Sequence, residues 1–428
     1  MQRQKATFSL QKGEYGILKQ KMLNWTQQFS IFLFLDSNGY DDRYGHYECL
    51  VAAGSHATCT GLDAMQHWHD TNKDWLFGHI CYDYKNELEP KLSSRHPIAT
   101  GWGDDPLHFF QPAVVCYVSK DKTTLTIESL DDTPLAIYDA ILATDDTNNA
   151  SLPRLQFQQV IDKQPYLTTI GALRRHIADG DCYEINFCNE GICNDADVQP
   201  LAVFNALNAI SPAPFAAFYR SGDRYMMCAS PERYITRNGS TLLSQPIKGT
   251  TRRGKDAISD QAAKNNLYNS IKDRAENVMI VDLVRNDLAR SCKVGSVSVD
   301  ELFGIYSFPQ VHQMISTISG TLDEATPFTN AIRYSFPMGS MTGAPKIKVM
   351  ELIARYEHSR RELFAGTVGY ISPLGNFDFN VIIRSLYYNA ASKRLSYQTG
   401  GAITYDSTAE QEWEEMRLKA WALERIFS

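Results

Sequence analysis

Apolar residues along the chain follow two periods, which predict different elements. A period of two, or a short apolar run bounded by polar turns, predicts β-strands at 31–35, 114–119 with 125–130, 183–187, 215–220 with 225–230, 233–236 with 241–246, 366–371, 377–388 and 395–398. A period of three to four predicts helices at 166–178, 260–290, 345–357 and from 409 onwards. Short turns join the last three strands, so we expect an antiparallel meander there. Because hairpins are grouped with helices and do not alternate strictly with them, we expect an α+β fold of antiparallel sheets with flanking helices.

A polar segment divides the chain into two regions. Residues 143–153, ATDDTNNASLP, lack apolar periodicity and predict a linker. We therefore expect an N-terminal region, 1–150, that packs on a catalytic domain, 151–428.

The composition argues against two classes of protein. The 428 residues are 43% hydrophobic and 21% charged, as in an ordinary globular enzyme, and the formal net charge is −7. An acidic chain without basic clusters lacks the surface that phosphate contacts need, so we expect no nucleic-acid partner. No apolar run is long enough to span a bilayer or to form the core of an export signal, so we expect no membrane association and a cytoplasmic location.

Two pairs of carboxylates lie three residues apart on predicted helices. Asp273 and Glu276 form the first pair, and Glu412 and Glu415 form the second. Because a spacing of three residues puts both side chains on one face, each pair can aim two carboxylates at one point. Two such helices facing each other would supply the oxygen ligands that Mg²⁺ prefers. Solvated pairs of this kind are also common on helix surfaces, and the pattern alone leaves both interpretations open.

Two further segments contain a lysine close to glycine. In SQPIKGTTRRG (244–254), Lys248 follows an apolar strand end, where burial would lower the pKa of its ammonium group and make it a nucleophile. A solvated surface lysine is the alternative.

In GSMTGAPKIKVM (339–350), glycines precede a lysine and a helix. A nucleotide-binding P-loop requires a Ser or Thr after the lysine, and neither follows it here. An anion at the N-terminus of that helix remains compatible with the pattern.

A series of longer motifs carries a resemblance to a known family. In chain order they are GDCYEINF (180–187), SPERYI (230–235), PIKGTTRRG (246–254), KDRAENVMIVDLVRNDLAR (272–290), VHQMIS (311–316), FPMGSMTGAPKIK (336–348), GTVGYI (366–371), FNVIIRS (379–385), QTGGAI (398–403) and EWEEMRLKA (412–420). Over residues 160–425 the chain resembles the chorismate-utilising enzymes, which include anthranilate, aminodeoxychorismate, isochorismate and salicylate synthases. The resemblance implies the fold of that family, chorismate as the substrate and Mg²⁺ as the cofactor.

The resemblance also implies roles for individual residues. Glu276 and Glu415 match the two carboxylates that hold Mg²⁺, and Asp273 and Glu412 match neighbours that act through water. Glu232 matches the general acid and base. The residues that match substrate-contacting positions are Tyr370, Arg384, Gly400 and Gly401 for the enolpyruvyl carboxylate, and Thr342 and His312 for the ring, with His312 a second candidate for proton transfer.

Lys248 distinguishes members of the family. Members that aminate C4 of chorismate have the sequence PIKGT, whereas members that make anthranilate typically have alanine in place of the lysine. If ammonia adds at C2 while the C4 hydroxyl leaves, the amine stays on C2. If Lys248 adds at C2 first, ammonia can attack C4 and expel the lysine. We therefore expect 4-amino-4-deoxychorismate as the product, with amination at C2 or a catalytically silent partner protein as alternatives.

The source of the nitrogen and one departure from the family also bear on function. The resemblance implies that ammonia comes from a separate glutamine amidotransferase subunit. Members that hydroxylate chorismate use a lysine at the position of Glu184 to activate water, and members that aminate usually carry glutamine there. Glu184 matches neither group, although the missing lysine argues against a hydroxylated product.

Overall fold

A computed structural model of the protein describes residues 2–92, 101–147 and 151–428. Its strands are β1 Gln4–Ser9, β2 Ile31–Asp36, β3 Tyr47–Ala53, β4 Ala57–Cys59, β5 Leu76–Ile80, β6 Leu107–Gln111, β7 Val114–Ser119, β8 Thr124–Ser129, β9 Gln158–Gln159, β10 Glu184–Cys193, β11 Phe215–Ser221, β12 Arg224–Ser230, β13 Arg233–Asn238, β14 Thr241–Gln245, β15 Ile247–Arg252, β16 Ser298–Ser307, β17 Val311–Thr321, β18 Gly343–Ala344, β19 Thr367–Ile371, β20 Phe377–Asn380, β21 Ser385–Asn389 and β22 Arg394–Ile403. Its helices are α1 Tyr15–Trp25, α2 Leu62–Asn72, α3 Lys85–Leu88, α4 Pro134–Ala143, α5 Lys163–Ala178, α6 Pro200–Ile210, α7 Ala257–Asn269, α8 Ile271–Ala289, α9 Phe328–Ser335, α10 Lys346–Tyr356 and α11 Ala409–Glu424.

The strands form two antiparallel sheets with helices against them, which confirms the α+β prediction. The larger sheet has the order β1-β8-β7-β3-β2-β11-β12-β21-β22-β10-β18, and the smaller has the order β15-β17-β14-β13-β20-β19-β5-β6-β4. Strands from 1–150 pair with strands from 151–428 in both sheets, through β2 with β11 and through β5 with β19. The division into two domains stays a prediction, and residues 148–150 of the predicted linker lie outside the described residues.

The apolar run at the start of β2 is explained by burial on both faces of the larger sheet. Leu33 points into the core between the two sheets, whereas Phe32 and Phe34 point into a second core on the opposite face, beneath α1, α4 and α6. Successive side chains of a strand alternate between faces, so a strand covered on both sides is apolar throughout. Each such side chain contributes about 1.5–3 kcal/mol to folding.

Two predicted elements are each divided in the structure. The helix predicted at 260–290 is two helices, α7 and α8, because Ser270 is extended and its side chain accepts a hydrogen bond from the backbone N–H of Asp273. Serine is a favourable residue at such a helix N-terminus. The strand predicted at 377–388 is β20 in the smaller sheet and β21 in the larger, with Arg384 at a φ of 53° between them. The meander prediction is therefore wrong, since its strands belong to two sheets.

Within the ranges that the structure describes, no helix combines the length and hydropathy that a transmembrane span would need.

Candidate active site

Lys248 lies at the junction of the two sheets. It is on β15 of the smaller sheet, its side chain is 7% exposed, and it donates a short hydrogen bond to Glu184 on β10 of the larger sheet. The register of β15 shifts between Ile247 and Thr250, where Gly249 has a φ of +88°. Such a bulge redirects the strand, and the left-handed conformation favours glycine. The bulge therefore places Lys248 between the sheets instead of in a regular ladder.

The charge on Lys248 differs from the sequence expectation. Burial lowers the pKa of its ammonium group, but the carboxylates of Glu184, Glu276 and Glu232 outweigh burial, so the pKa is raised. The expectation of a lowered pKa considered burial without the three acidic neighbours. Lys248 is consequently an ammonium ion in this state, and it must lose a proton before it can act as a nucleophile.

Glu232 lies on a crossover between the sheets, since β12 of the larger sheet ends at Ser230 and β13 of the smaller begins at Arg233. Burial raises the pKa of Glu232 to about 7, although hydrogen bonds from Ser340 and the backbone of Ile247 oppose the rise. The N–H of Ile247 lies 3.4 Å from its Oε1. A carboxyl group with such a pKa can both donate and accept a proton near neutral pH.

Arg384 lies on another crossover, between β20 and β21, and these two crossovers are hydrogen-bonded to neighbouring strand ends. The N–H of Val381 donates to the carbonyl of Glu232 at 3.0 Å, and the N–H of Ala229 donates to the carbonyl of Arg384 at 3.2 Å. Glu232 acts electrostatically on the Arg384 guanidinium, which forms no ion pair with the described residues. A half-buried arginine that forms no ion pair with a protein carboxylate is suited to hold a carboxylate of a ligand.

Gly401, on β22, allows α11 to approach the strand closely, and its neighbour Gly400 allows a close approach of β10. A Cβ atom on Gly401 would lie 3.1 Å from Oε2 of Glu412 and 3.4 Å from Oε1 of Glu415. The carbonyl of Gly400 accepts a hydrogen bond from Lys419 Nζ at 2.7 Å, and the same Nζ lies 2.8 Å from Oε1 of Glu415. These contacts fix the second carboxylate pair against the backbone of β22.

The ammonium group of Lys272 acts on carboxylates of both pairs. Its Nζ is 3.8 Å from Oε1 of Glu276. Burial raises the pKa of Glu412 and the ammonium of Lys419 lowers the pKa of Glu415, and in both cases Lys272 acts to lower the pKa. Glu276 is 7% exposed, its Oε1 lacks a hydrogen-bond partner in the parts of the chain that the structure describes, and burial raises its pKa to about 7. Because one cation acts on carboxylates of both pairs, the pairs face a common space.

Magnesium fits this space by its chemistry. Carboxylate oxygens from α8 and α11 are the hard ligands that the ion prefers, and the unpartnered Oε1 of Glu276 needs a cation or a donor. In the part of the chain that the structure describes, no three His, Cys, Asp or Glu side chains are already gathered at metal-binding distance. A bound ion would therefore take the place of Lys272, which is half-exposed and on a flexible stem.

Three other residues predicted from the sequence make contacts elsewhere. His312 is buried, with Nε2 at 2.9 Å from Asp260 and Nδ1 at 3.0 Å from Ser307. Thr342 donates its hydroxyl to the carbonyl of Met338 at 3.1 Å. Tyr370 packs against aromatic rings of β3 and β5 and lines a separate cavity between the sheets. The structure does not bring these three side chains into hydrogen-bonding contact with Lys248 or Glu232.

Three residues that contact members of the candidate site were not identified from the sequence as site residues. Glu184 was noted only as a departure from the family, and Ser340 was seen only as part of a glycine-rich loop. Lys419 follows Glu415 by four residues, a helical spacing that predicts an ion pair and could have identified it. No sequence pattern links Ser340 to Glu232, which is more than one hundred residues away.

Comparisons with known proteins agree with this architecture. Anthranilate synthase component I of Streptococcus pneumoniae has a TM-score of 0.71 and 25% identity, covering 82% of this chain and 80% of that one. The menaquinone-specific isochorismate synthase of Escherichia coli has a TM-score of 0.80 over 100% of this chain and 94% of that one, with 19% identity, a likeness of fold alone.

Relatives found by sequence have a higher identity to this chain than these two structures, but the matched regions cover a smaller share of it. Aminodeoxychorismate synthase of Streptomyces griseus is 42% identical over 267 residues, which are 62% of this chain and 36% of the relative. Aminodeoxychorismate synthase component 1 of Escherichia coli K12 is 39% identical over 259 residues, 60% of this chain and 56% of the relative. The matches thus span less than two thirds of the length of either relative. The family model for chorismate binding enzymes matches residues 39–425, and this chain therefore belongs to that family.

Proposed function

We propose that the chain is the synthase component of aminodeoxychorismate synthase, which converts chorismate and ammonia to 4-amino-4-deoxychorismate and water. The product would serve the biosynthesis of para-aminobenzoate and folate. Two relatives of 42% and 39% identity carry that name, which supports the proposal. The observation that carries it is the buried Lys248 beside Glu232, since amination at C4 requires a nucleophile to occupy C2 first.

Lys248 acts as that nucleophile. After losing a proton, Nζ donates its electron pair to C2 of chorismate, the two ring double bonds shift, and the bond from C4 to the hydroxyl oxygen breaks. Ammonia then attacks C4, the double bonds shift back, and the bond from C2 to Nζ breaks with its electrons returning to the lysine. The intermediate occupies C2, which directs ammonia to C4.

Glu232 transfers protons at C4. Hydroxide is a poor leaving group, so the protonated Glu232 donates its proton to the oxygen as the bond breaks, and water departs. The resulting carboxylate accepts a proton from the new C4 ammonium group, which restores the acid. One carboxyl group with a pKa of about 7 can serve both steps.

The remaining residues bind and orient the substrate. Arg384 holds the enolpyruvyl carboxylate with its two parallel N–H donors, beside the backbone of Gly400 and Gly401. A Mg²⁺ ion held by Glu276 and Glu415, with Asp273 and Glu412 close by, would neutralise the ring carboxylate. Direct roles of His312, Thr342 and Tyr370 in binding or catalysis stay predictions that rest on the resemblance.

The ammonia would come from glutamine, through a separate amidotransferase subunit. The name "component 1" of the Escherichia coli relative implies a second component, which supports such a partner. Ammonium salts should replace the partner in vitro, so the synthase activity can be measured with this chain alone.

The test is the regiochemistry of the product and its dependence on Lys248. The chain, incubated with chorismate, ammonium chloride and Mg²⁺, should give the 4-amino isomer by chromatography and mass spectrometry. Wild-type enzyme quenched before ammonia is added should carry chorismate less one water on the peptide that contains Lys248. In Lys248→Ala the adduct should vanish, and residual product should shift to the 2-amino isomer and anthranilate. A Lys248→Ala variant that still makes the 4-amino isomer at a comparable rate would remove the lysine from the mechanism.

A further inference from the structure

One carboxylate oxygen of Glu184 forms no hydrogen bond with the described residues. The side chain is 0% exposed, Oε1 accepts the hydrogen bond from Lys248, and Oε2 has no hydrogen-bond partner in residues 2–92, 101–147 and 151–428. A buried carboxylate oxygen without a donor costs on the order of 1–3 kcal/mol or more, so such atoms normally mark the place of a ligand or an ordered water. A Mg²⁺ ion on Glu276 would account for the unpartnered oxygen of that residue, but it leaves Oε2 of Glu184 unexplained.

The charges around this oxygen favour a cation. Glu184, Glu232 and Glu276 all act electrostatically on Lys248, so three carboxylates surround one ammonium group. Burial raises the pKa values of both Glu232 and Glu276 to about 7. Glu184 is the most deeply buried of the three, at 0% exposed against 4% for Glu232 and 7% for Glu276. A small cation with N–H donors would supply the hydrogen bond that Oε2 lacks.

Oε2 belongs to the same carboxylate that contacts the nucleophile of the proposed reaction. Nζ of Lys248 donates to Oε1, and in the proposed reaction it bonds C2 of the substrate while the second nitrogen must reach C4 of the same ring. A donor bound to Oε2 would therefore share one carboxylate with the lysine.

We propose that Oε2 of Glu184 is the binding site of the ammonium ion that supplies the amino group, an inference that rests on the proposed function. The enzyme then captures NH₄⁺, the abundant form of ammonia at neutral pH, rather than the scarce NH₃. A glutamine at this position offers an acceptor without a charge, and it has no means of retaining the cation. Glu184 thus determines which form of the nitrogen source binds.

The protons balance over the cycle. Lys248 releases one proton to solvent before its nitrogen bonds C2, and Glu232 protonates the departing hydroxyl. Bound NH₄⁺ passes a proton to Glu184, and the resulting NH₃ forms the bond to C4 while the bond from C2 to Nζ breaks. Glu184 then returns its proton to the freed amine of Lys248, and the C4 ammonium group returns one to Glu232. One turnover converts chorismate and NH₄⁺ to product, water and one H⁺.

The experiment compares the KM for total ammonia of wild-type enzyme and Glu184→Gln between pH 7 and pH 8.5. Ammonium chloride is the nitrogen source, with saturating chorismate and Mg²⁺. NH₄⁺ predominates throughout this range, whereas NH₃ increases about tenfold per pH unit. The wild-type KM should change less than about twofold, and the KM of Glu184→Gln, divided by that of the wild type, should fall about tenfold per unit. Dividing the KM of the variant by the KM of the wild type cancels the effect of any ionisation that occurs in both enzymes.

Two control variants and one adduct measurement separate an ammonium site from a role of Glu184 in positioning Lys248. Glu190→Gln changes another buried glutamate of β10, which pairs with Arg394 and not with Lys248, and it should keep the wild-type pH dependence. Glu184→Gln should still form the Lys248 adduct when ammonia is absent. Loss of that adduct would show that Glu184 serves the lysine and would overturn the ammonium site. Glu184→Asp, which keeps the charge, should keep a pH-independent KM even if the glutamine variant folds poorly.

The outcomes also distinguish this inference from the proposed function. If wild-type enzyme makes the 4-amino product with a KM that falls about tenfold per pH unit, NH₃ is the bound form and water occupies Oε2. The ammonium site is then wrong and the proposed function stands. If wild-type enzyme makes no 4-amino product, the proposed function is wrong, whatever the pH dependence of KM.

Discussion

Replacing Glu232 by glutamine should abolish activity and at the same time stabilise the folded protein. Glutamine has nearly the same shape, but it cannot give or take the proton at C4. We expect turnover to fall at least ~10²-fold, in line with the usual contribution of a general acid and base. In the wild type the acid must be protonated, so turnover should decline above pH 7, where burial sets the pKa of Glu232.

The stability change follows from the same pKa. Folding raises the pKa of Glu232 from 4.5 to about 7, so the folded state binds a proton more tightly than the unfolded state. The stability that protonated Glu232 contributes to the wild type is therefore lost as the pH rises from its unfolded-state pKa of 4.5, and that contribution is absent above its folded-state pKa of about 7. The loss is about 3 kcal/mol at pH 8.5 and under about 1 kcal/mol at pH 5, at about 1.4 kcal/mol per pKa unit. Glutamine does not ionise, so the Glu232→Gln variant is not destabilised in this way as the pH rises.

Calorimetry at two pH values measures the difference. At about 2.1 cal/mol/K per residue, 428 residues have an unfolding entropy of about 0.9 kcal/mol/K, so about 3 kcal/mol raises Tm by roughly 3–4 °C. The Tm of Glu232→Gln should exceed that of the wild type by this amount at pH 8.5 and by about 1 °C or less at pH 5. Equal differences at the two pH values would mean that Glu232 ionises as an ordinary carboxylate. It could not then be the acid.

Three further predictions concern the neighbours of Glu232 and the metal. Glu276→Gln or Glu415→Gln should abolish turnover and weaken Mg²⁺ binding in calorimetric titration, whereas Glu410→Gln, an exposed residue of the same α11, should change neither; full activity in excess chelator would contradict the metal proposal. Arg384→Gln should raise KM for chorismate by at least about tenfold, from loss of charge-assisted hydrogen bonds worth roughly 1.5–3 kcal/mol, and an unchanged KM would place the carboxylate elsewhere. Ser340→Ala should shift the alkaline decline of turnover to higher pH, because the Ser340 hydrogen bond lowers the pKa of Glu232; an unchanged profile would mean that this hydrogen bond does not influence the acid.

The sequence predicted the elements better than their arrangement. Helical spacing identified α5, α10 and α11, and turn residues identified the hairpins of β7 with β8 and of β11 with β12, because these patterns are local. The break at Ser270 was missed because apolar spacing continues across it, although serine is itself a helix-capping signal.

The site was predictable only where it depends on single helices. Pairs of carboxylates on α8 and α11 are visible as a spacing of three, and their proximity follows from the resemblance. The ion pair of Lys248 with Glu184 joins two sheets across 64 residues, and it reverses the expected direction of the lysine pKa. Such a contact is determined by how the two sheets pack against each other. The local spacing of residues in the sequence carries no information about that packing. The position of Tyr370 in a separate cavity was missed for the same reason.

The order of strands in the two sheets has a consequence for synthesis on the ribosome. In the larger sheet β21 and β22 lie between β12 and β10, and in the smaller sheet β19 and β20 lie between β5 and β13. Strands that are synthesised early therefore lack a neighbouring strand until the residues after 366 have been made. Until then the backbone groups on one edge of these strands stay unpaired. Open edges of this kind invite pairing with other chains. We expect nascent chains stopped before β19 to aggregate or to engage chaperones, and removal of the N-terminal strands to leave the later strands equally unpartnered.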